Sequence, residues 1–458
     1  MPGTRLNTSQ RALAVGLVLS VTLVAFESTA VITALPTITD ELDGLPLYGA
    51  TIAAYMLADL MALVWAGETA DRHGVRRPFL VCIGFFLAGL IVAASAQSML
   101  VVVLGRFLQG AGSGGFAPLA YISVRRAFPA DRQATMYAYL SAGWVLPSLV
   151  APAVSGIVTD AIGWRWVFIG ITPLAVIVAL LTARAMGPIS VPETESATQG
   201  PRRASRLPRA VQAAVGVGTV ALGLQSRHLF VAAGLAALGV LIAAPALKIL
   251  LPFGTFRARR GLPAIVAVRF LATATFLGAD SFIPLAADRF HGARPIVQGF
   301  VIAGSAVMWS AGQAYAARRG VNLLPRRGAA IGFALLLVGV SASAPVLSPS
   351  WPLALTFVTW CIGGLGMGIL FNPTTVASMS FAESGREGEI SSQVHLADSL
   401  GFGLMSIVGG ATVAFSDHSA LTLRGAVGIN FCLAAASACV GLFASRGVRS
   451  ATPVAAMA

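Results

Sequence analysis

Six ionisable side chains lie inside long apolar runs of this sequence: Glu27, Asp59, Arg106, Arg269, Asp280 and Asp398. A charge at the centre of a bilayer costs about 2.5–3.5 kcal/mol on insertion scales, so such a group faces a cavity or a partner. A carboxylate there is the kind of group that loads and releases a proton, and an arginine beside it sets which state is favoured. With about 1.5 Å of rise per residue, Glu27, Arg106 and Asp280 fall roughly 10–14 Å below one membrane face. Arg269 and Asp398 enter from the opposite face, and Asp59 sits near the middle. Depth therefore suggests one tier holding Glu27, Arg106 and Asp280 and another holding Arg269 and Asp398. Each has a plainer reading. Arg106 could donate to helix-terminal carbonyls, Arg269 and Asp398 could form a static pair, and Asp59 could close a hydrogen bond to a neighbouring helix. His395, one turn before Asp398, could join a relay or simply pack.

The elements that must hold these groups are apolar segments long enough to cross a bilayer. The 458 residues are 56% hydrophobic and only 11% charged, with a mean hydropathy of +0.81; a soluble domain carries about 25% charged residues. About fourteen segments are expected. Six lie near 12–34, 47–67, 78–97, 99–121, 134–158 and 164–184. A polar stretch from Gly187 to Arg209 reads as a loop, and two further runs follow near 209–225 and 228–251. The last six lie near 262–287, 295–317, 327–347, 351–376, 391–415 and 424–445. The first run is too long for a signal-peptide core and reads as a retained helix.

The net charge of +13 has a topological cause. Arginines gather in alternate loops: Arg5 and Arg11; Arg72, Arg76 and Arg77; Arg125, Arg126 and Arg132; Arg202, Arg203, Arg206 and Arg209; Arg257, Arg259 and Arg260; Arg318, Arg319, Arg326 and Arg327; Arg446 and Arg449. The opposite loops hold only Arg165, Arg227, Arg289, Arg294 and Arg424. The positive-inside rule then places both termini in the cytoplasm of a multi-pass plasma-membrane protein. One loop, Glu383 to Glu389, is cytoplasmic by parity yet net acidic. No nucleic-acid partner is implied. Cys82, Cys361, Cys432 and Cys439 all fall in apolar runs, which argues against a disulfide framework or a metal cluster. No Walker A loop, H-E-x-x-H or G-x-S-x-G is present. Gly110 to Gly115 contains a formal G-x-G-x-x-G, but inside an apolar helix it reads as a close-packing surface, as do Gly364 and Gly368.

The tight charged turn Gly67-Glu68-Thr69-Ala70-Asp71-Arg72-His73-Gly74-Val75-Arg76-Arg77 stands between the second and third segments. It resembles the G-x-x-x-D-R-x-G-x-R-R signature of the major facilitator superfamily of secondary transporters. Phe26-Glu27-Ser28-Thr29 with Ala34-Leu35-Pro36 is similar to the L-D-x-T…A-L-P pattern of drug:proton antiporters, with Glu for Asp. Arg106-Phe107-Leu108-Gln109-Gly110 matches the R-x-x-Q-G element linked there to proton coupling. Ala151-Pro152-Ala153-Val154-Ser155-Gly156 resembles the antiporter motif G-P-x-x-G-G with two glycines replaced, and Trp164-Arg165-Trp166-Val167-Phe168 resembles W-R-W-I-F. The second-half copy of the signature, around Ala316 to Gly320, lacks its acidic residue.

The resemblance is to the fourteen-helix QacA and EmrB type. It implies an all-α polytopic membrane protein of the major-facilitator fold, two six-helix bundles plus two inserted central helices. The expected division is a cytoplasmic N-terminus (1–11), an N-terminal bundle (12–184), a cytoplasmic loop (185–208), two inserted helices (209–251), a C-terminal bundle (252–445) and a tail (446–458). It further implies a monomeric, proton-driven exporter of lipophilic or amphipathic compounds, with or without a positive charge, working by alternating access. No cofactor is expected beyond the transmembrane proton gradient; the partners are a small-molecule substrate, protons and the lipid bilayer. Glu27, at the motif position, is the expected proton carrier, with Arg106, Asp280, Asp59 and Asp398 as candidates beside it. Gly67, Asp71, Arg72, Gly74 and Arg76 form the expected gating turn, with Asp71 set against the helix start near Ser391 and Ser392. Pro152 and Gly156 mark the antiporter motif. Two alternatives remain on the sequence: a transporter of one metabolite or lipid on the same fold, and a polytopic membrane enzyme, which would need a convergent catalytic set that the sequence does not display.

Overall fold

Apolar runs in a bilayer must satisfy their backbone internally, so the chain folds as helices. The computed structural model describes residues 7–186, 205–224, 226, 229–319, 323–381, 387–416 and 421–450. Within these, the side chains of residues 71–72, 229, 387–389, 391 and many between 130 and 149 are outside the description. No strand occurs among the described residues.

The first half comprises α1 (Thr8–Glu41), α2 (Tyr48–His73), α3 (Arg76–Ala94), α4 (Met99–Ser113), α5 (Phe116–Ala127), α6 (Ala130–Ile162) and α7 (Arg165–Ala185). The pair α8 (Leu207–Leu224) and α9 (Leu229–Leu250) follows. The second half comprises α10 (Leu262–Asp280), α11 (Ile283–His291), α12 (Pro295–Arg319), α13 (Pro325–Ser343), α14 (Leu353–Met379), α15 (Glu387–Ser416) and α16 (Leu423–Ala444). Thirteen of the described spans are long and apolar enough to cross a membrane. The helix α6, at 33 residues, adds another of spanning length.

Three expected boundaries are corrected. The fourth segment is two helices, α4 and α5, separated at Gly114 and Gly115. The segment expected at 262–287 breaks after Asp280, so Asp280 ends α10 rather than lying within a continuous helix. The first segment runs through Pro36 to Glu41, which places Glu27 well inside the helix. A proline inside an apolar helix frees a single carbonyl, whereas ending the helix there would free a whole turn.

Close helix approaches are made by glycines. A side chain at Gly110 or Gly114 would overlap the Tyr55 or Asp59 carbonyl of α2. One at Gly364 or Gly368 would overlap the Ser305 or Trp309 carbonyl of α12. These stripes are packing surfaces, as glycine-rich membrane helices require. The halves meet through α2 against α15, where Gly49 and Gly410 are in contact, and through α6 against α12, where Gly156 lies on Pro295 and Gly299 on Pro152. The motif positions Pro152 and Gly156 are therefore seam residues between the halves.

The pair α8–α9 is closed by Gly216 against Ala243 and by Gln212 Nε2 donating to the Ile242 carbonyl at 2.9 Å. It docks on α2 and α15 through Ala213 and Val217 with Ala53, Leu60, Val394 and Leu400. Only 17% of the most apolar window of α9 is buried, against 72% for Leu262–His291. α9 therefore lies on the outside of the bundle.

Candidate functional site

Glu27 of α1 and Arg106 of α4 form a buried ion pair; their side chains are 0% and 4% exposed. Arg106 Nη1 also donates to Gln109 Oε1 at 2.9 Å. Its guanidinium carbon lies 4.1 Å from the Tyr55 ring centroid, an arrangement favoured by the ring quadrupole. Glu27 Oε2, Arg106 Nε and Gln109 Nε2, although buried, find no hydrogen-bond partner among the described residues. Native structures rarely leave such atoms unpaired, and each one calls for an explanation. A carboxylate with a free buried oxygen, one bond from a guanidinium, can exchange a proton for its ion pair.

Asp59 of α2 accepts from Ser113 Oγ of α4 at 3.0 Å, so it closes the helix-to-helix bond that sequence reasoning kept as one of two readings. It also lies within electrostatic reach of His395 on α15 in the other half. Asp280 is not joined to Glu27 and Arg106. Instead its Oδ1 accepts from Trp360 Nε1 at 2.6 Å, and Trp360 stacks on Phe276 with 5.1 Å between centroids and 4° between planes. Trp309 meets Phe276 edge-on at 5.4 Å and Phe371 at 5.5 Å. Arg269 and Asp398 are paired, with Arg269 Nε 2.8 Å from Asp398 Oδ1 and Nη1 2.7 Å from Thr375 Oγ1. Arg269 also lies 3.3 Å from the Phe371 ring centroid.

The gating turn is visible in part. Gly67 lies within α2, Gly74 caps it at φ 78°, a conformation that favours glycine, and Arg76 opens α3. Arg126 Nη1 donates to the Ala70 carbonyl at 3.0 Å, closing the end of α2. The side chains of Asp71, Arg72 and Ser391 lie outside the description, so the expected Asp71 contact is not on view. Sequence reasoning passed over Glu68. Its carboxylate accepts from Ser205 Oγ and, at 2.6 Å, from the Arg206 backbone N–H, which ties the turn to the start of α8. It also passed over Trp360 and Ser113; the only available signal was that a buried indole N–H or hydroxyl needs an acceptor.

At the arginine-poor end the two halves are joined. Arg289 pairs with Asp40, Arg294 pairs with Asp160, and Tyr48 donates to the Ser281 carbonyl at 2.5 Å. The Asp160 carboxylate raises the affinity of the Arg294 guanidinium for its proton.

Spanning helices in two glycine-sewn halves, with paired charges buried between them, define a polytopic membrane protein. Residues 17–406 match the Major Facilitator Superfamily. The chain belongs to that superfamily and is a multi-pass membrane transporter. It is 26% identical over 439 residues, covering 89% of this chain and 91% of the relative, to a probable multidrug-efflux transporter, Rv1634, of Mycobacterium tuberculosis (strain ATCC 25618 / H37Rv). It is 31% identical over 165 residues to multidrug resistance protein 3 of Bacillus subtilis (strain 168), where the match covers 36% of this chain and 32% of the relative. Among solved structures, a peptide transporter of the POT family with alafosfalin gives a TM-score of 0.69 at 16% identity, covering 95% of this chain and 96% of that one. A D-xylose–proton symporter gives 0.67 at 12%, with the same coverage. These likenesses carry the fold.

Proposed function

We propose that this chain is a proton-coupled exporter of lipophilic or amphipathic compounds, of the fourteen-helix drug:proton antiporter type, in the plasma membrane. Its arginine-rich end, with both termini, would face the cytoplasm. The observation that carries the reading is the buried Glu27–Arg106 pair with its unpartnered carboxylate oxygen, at the two positions that match antiporter motifs. The multidrug-efflux names of the Mycobacterium and Bacillus relatives support the substrate class.

In this reading the structure is the conformer shut at the outer end by Asp40–Arg289, Asp160–Arg294 and Tyr48–Ser281. Protonation of Glu27 would remove the attraction that holds Arg106, leaving the guanidinium on Gln109 and Tyr55 and shifting α1 against α4. Substrate and proton would then compete for one conformational equilibrium, each biasing it by its differential affinity for the two states. Asp71 would act at the gating turn on the opposite face.

The test is a pH-gradient transport assay in vesicles containing the purified protein, across chemically unrelated dyes and antibiotics. Accumulation of several of them, abolished when the gradient is collapsed, is expected. Transport of a single metabolite or lipid would replace the multidrug reading, and indifference to the gradient would overturn proton coupling. A cysteine placed at Ser226 should react only from outside; labelling from the cytoplasm would reject the fourteen-span topology.

A further inference from the structure

Two segments far apart in sequence meet at the arginine-rich end of the bundle. The turn after α9, Pro252 to Gly261, is joined to the turn after α16 by Gly261 N–H donating to the Gly447 carbonyl at 3.0 Å. Gly447 lies so close to the Ala258 carbonyl that a side chain there would overlap it. Gly254 and Ala258 both take the left-handed conformation, at φ 92° and 44°. Alanine adopts it against its own preference, so the turn is held in shape by its packing.

What this junction displays is apolar and basic together. Phe253 and Phe256 are 84% and 67% exposed, and Phe443 is 65% exposed. Arg257, Arg259, Arg260, Arg446 and Arg449 are all exposed. Arg259 stacks over Phe253 at 5.1 Å and Arg446 over Phe443 at 4.9 Å, which leaves the edges of both guanidiniums free to donate. Neither 252–261 nor 444–450 contains an acidic residue. Above the junction, an apolar face of α9 formed by Ala237, Val240, Leu241 and Ala244 leads to Lys248, itself exposed.

We infer that this junction is a binding site for an anionic phospholipid of the leaflet at the arginine-rich end. The phosphate sits among Arg257, Arg259, Arg260 and Lys248, the phenylalanines enter the interface, and an acyl chain lies along the apolar face of α9. Charge and depth select that occupant. Arginine forks match phosphate oxygens, aromatic rings beside cations mark the headgroup level, and a basic cluster at a membrane surface attracts anionic lipid. Other arginine loops of this face do not carry two exposed phenylalanines within four residues. The site stands whatever the transported compound is.

The test uses the full chain in detergent and native mass spectrometry with phosphatidylglycerol and phosphatidylcholine of identical acyl chains. Wild type is expected to retain phosphatidylglycerol at least fivefold over phosphatidylcholine. The triple variant Arg257→Ser/Arg259→Ser/Arg260→Ser should lose most of that preference, and Arg318→Ser/Arg319→Ser/Arg326→Ser should keep it. Equal loss in both variants, or none in the first, overturns the site, because the preference would then come from the general charge of the face. Displacement by millimolar glycerol phosphate also overturns it, in favour of a site for soluble phosphates. A second measurement leaves every arginine in place. Phe256→Trp in vesicles should add fluorescence that brominated phosphatidylglycerol quenches more than brominated phosphatidylcholine, and equal quenching rejects the inference.

Discussion

The two halves of the molecule use one packing register for different chemistry. In the first, Gly110 and Gly114 seat α4 on the Tyr55 and Asp59 carbonyls of α2; in the second, Gly364 and Gly368 seat α14 on the Ser305 and Trp309 carbonyls of α12. Four residues before the leading glycine of each pair stand Arg106 and Trp360. Each reaches a carboxylate on the first helix of its half, Glu27 and Asp280 respectively. One half thus meets its buried acid with a charge and the other with a neutral indole N–H. The backbone frame is shared, and the donor decides what the acid can do. A guanidinium holds an ionised carboxylate; an indole serves either protonation state, because it donates to an oxygen that needs no charge.

The sharpest way to break this comparison is to neutralise each acid in turn. Glu27→Gln should remove uphill, pH-driven transport by more than tenfold, about 1.4 kcal/mol or more, while substrate still binds. Glu27→Asp should keep part of the activity. Asp280→Asn keeps an acceptor for Trp360 and should cost less than threefold. Initial rates in vesicles at fixed gradient decide it. Comparable losses in both variants would mean that the two halves share the coupling. Full uphill transport by Glu27→Gln would move the coupling to Asp280, Asp59 or Asp398.

The donors come next. Arg106→Ala leaves a buried carboxylate without its ion pair, a change that typically costs about 3–5 kcal/mol. Trp360→Phe keeps the ring stack on Phe276 and removes one hydrogen bond, about 1–3 kcal/mol. Thermal unfolding in detergent should therefore rank Arg106→Ala well below Trp360→Phe. The reverse order would show that the first half tolerates its charge through water rather than through the pair.

Much of this was legible in the residues. Charged side chains inside apolar runs stand out, and equal depth correctly suggested Glu27 with Arg106 and Arg269 with Asp398. Depth failed for Asp280, because depth alone does not say which helix is a neighbour, and helices of opposite halves share every depth. Trp360 was silent for a related reason: one more aromatic in an apolar segment changes neither periodicity nor charge. The break after Asp280 was hidden because Ser281 and Phe282 interrupt neither the hydropathy nor the length of the run. The glycine stripes were legible as packing surfaces, but their partners, carbonyls on other helices, have no sequence signature.

Those stripes supply a smaller test. Gly114→Ala and Gly368→Ala each push a methyl into a backbone carbonyl of the facing helix, and overpacking of this kind costs about 1–3 kcal/mol. Gly84→Ala, with nothing within 4 Å of the new atom, is the control and should be near neutral. If the shared register is what positions the acids, Gly114→Ala should impair transport more than Gly368→Ala even at equal loss of thermal stability, because the first presses on the backbone of Asp59, a buried acid held by Ser113, and the second on the backbone of the neutral Trp309. Equal transport loss would make the stripes purely structural.

The smallest effect is expected where the halves meet at the arginine-poor end. Asp40 and Arg289 are 41% and 30% exposed, and exposed pairs contribute about 0–1 kcal/mol and are screened by salt. Beneath them Tyr48 and Ser406 are both fully buried, with Tyr48 donating across the seam. A cysteine at Ser406 should therefore react slowly with a reagent supplied from that side. Asp40→Asn should raise the rate less than about fivefold, within the range of an exposed pair, and high salt on the unmutated pair should do the same. Tyr48→Phe, which leaves the Ser281 carbonyl without its donor in a dry seam, should raise it more. If Asp40→Asn exceeds Tyr48→Phe, the surface ion pairs rather than the buried contacts hold this end shut.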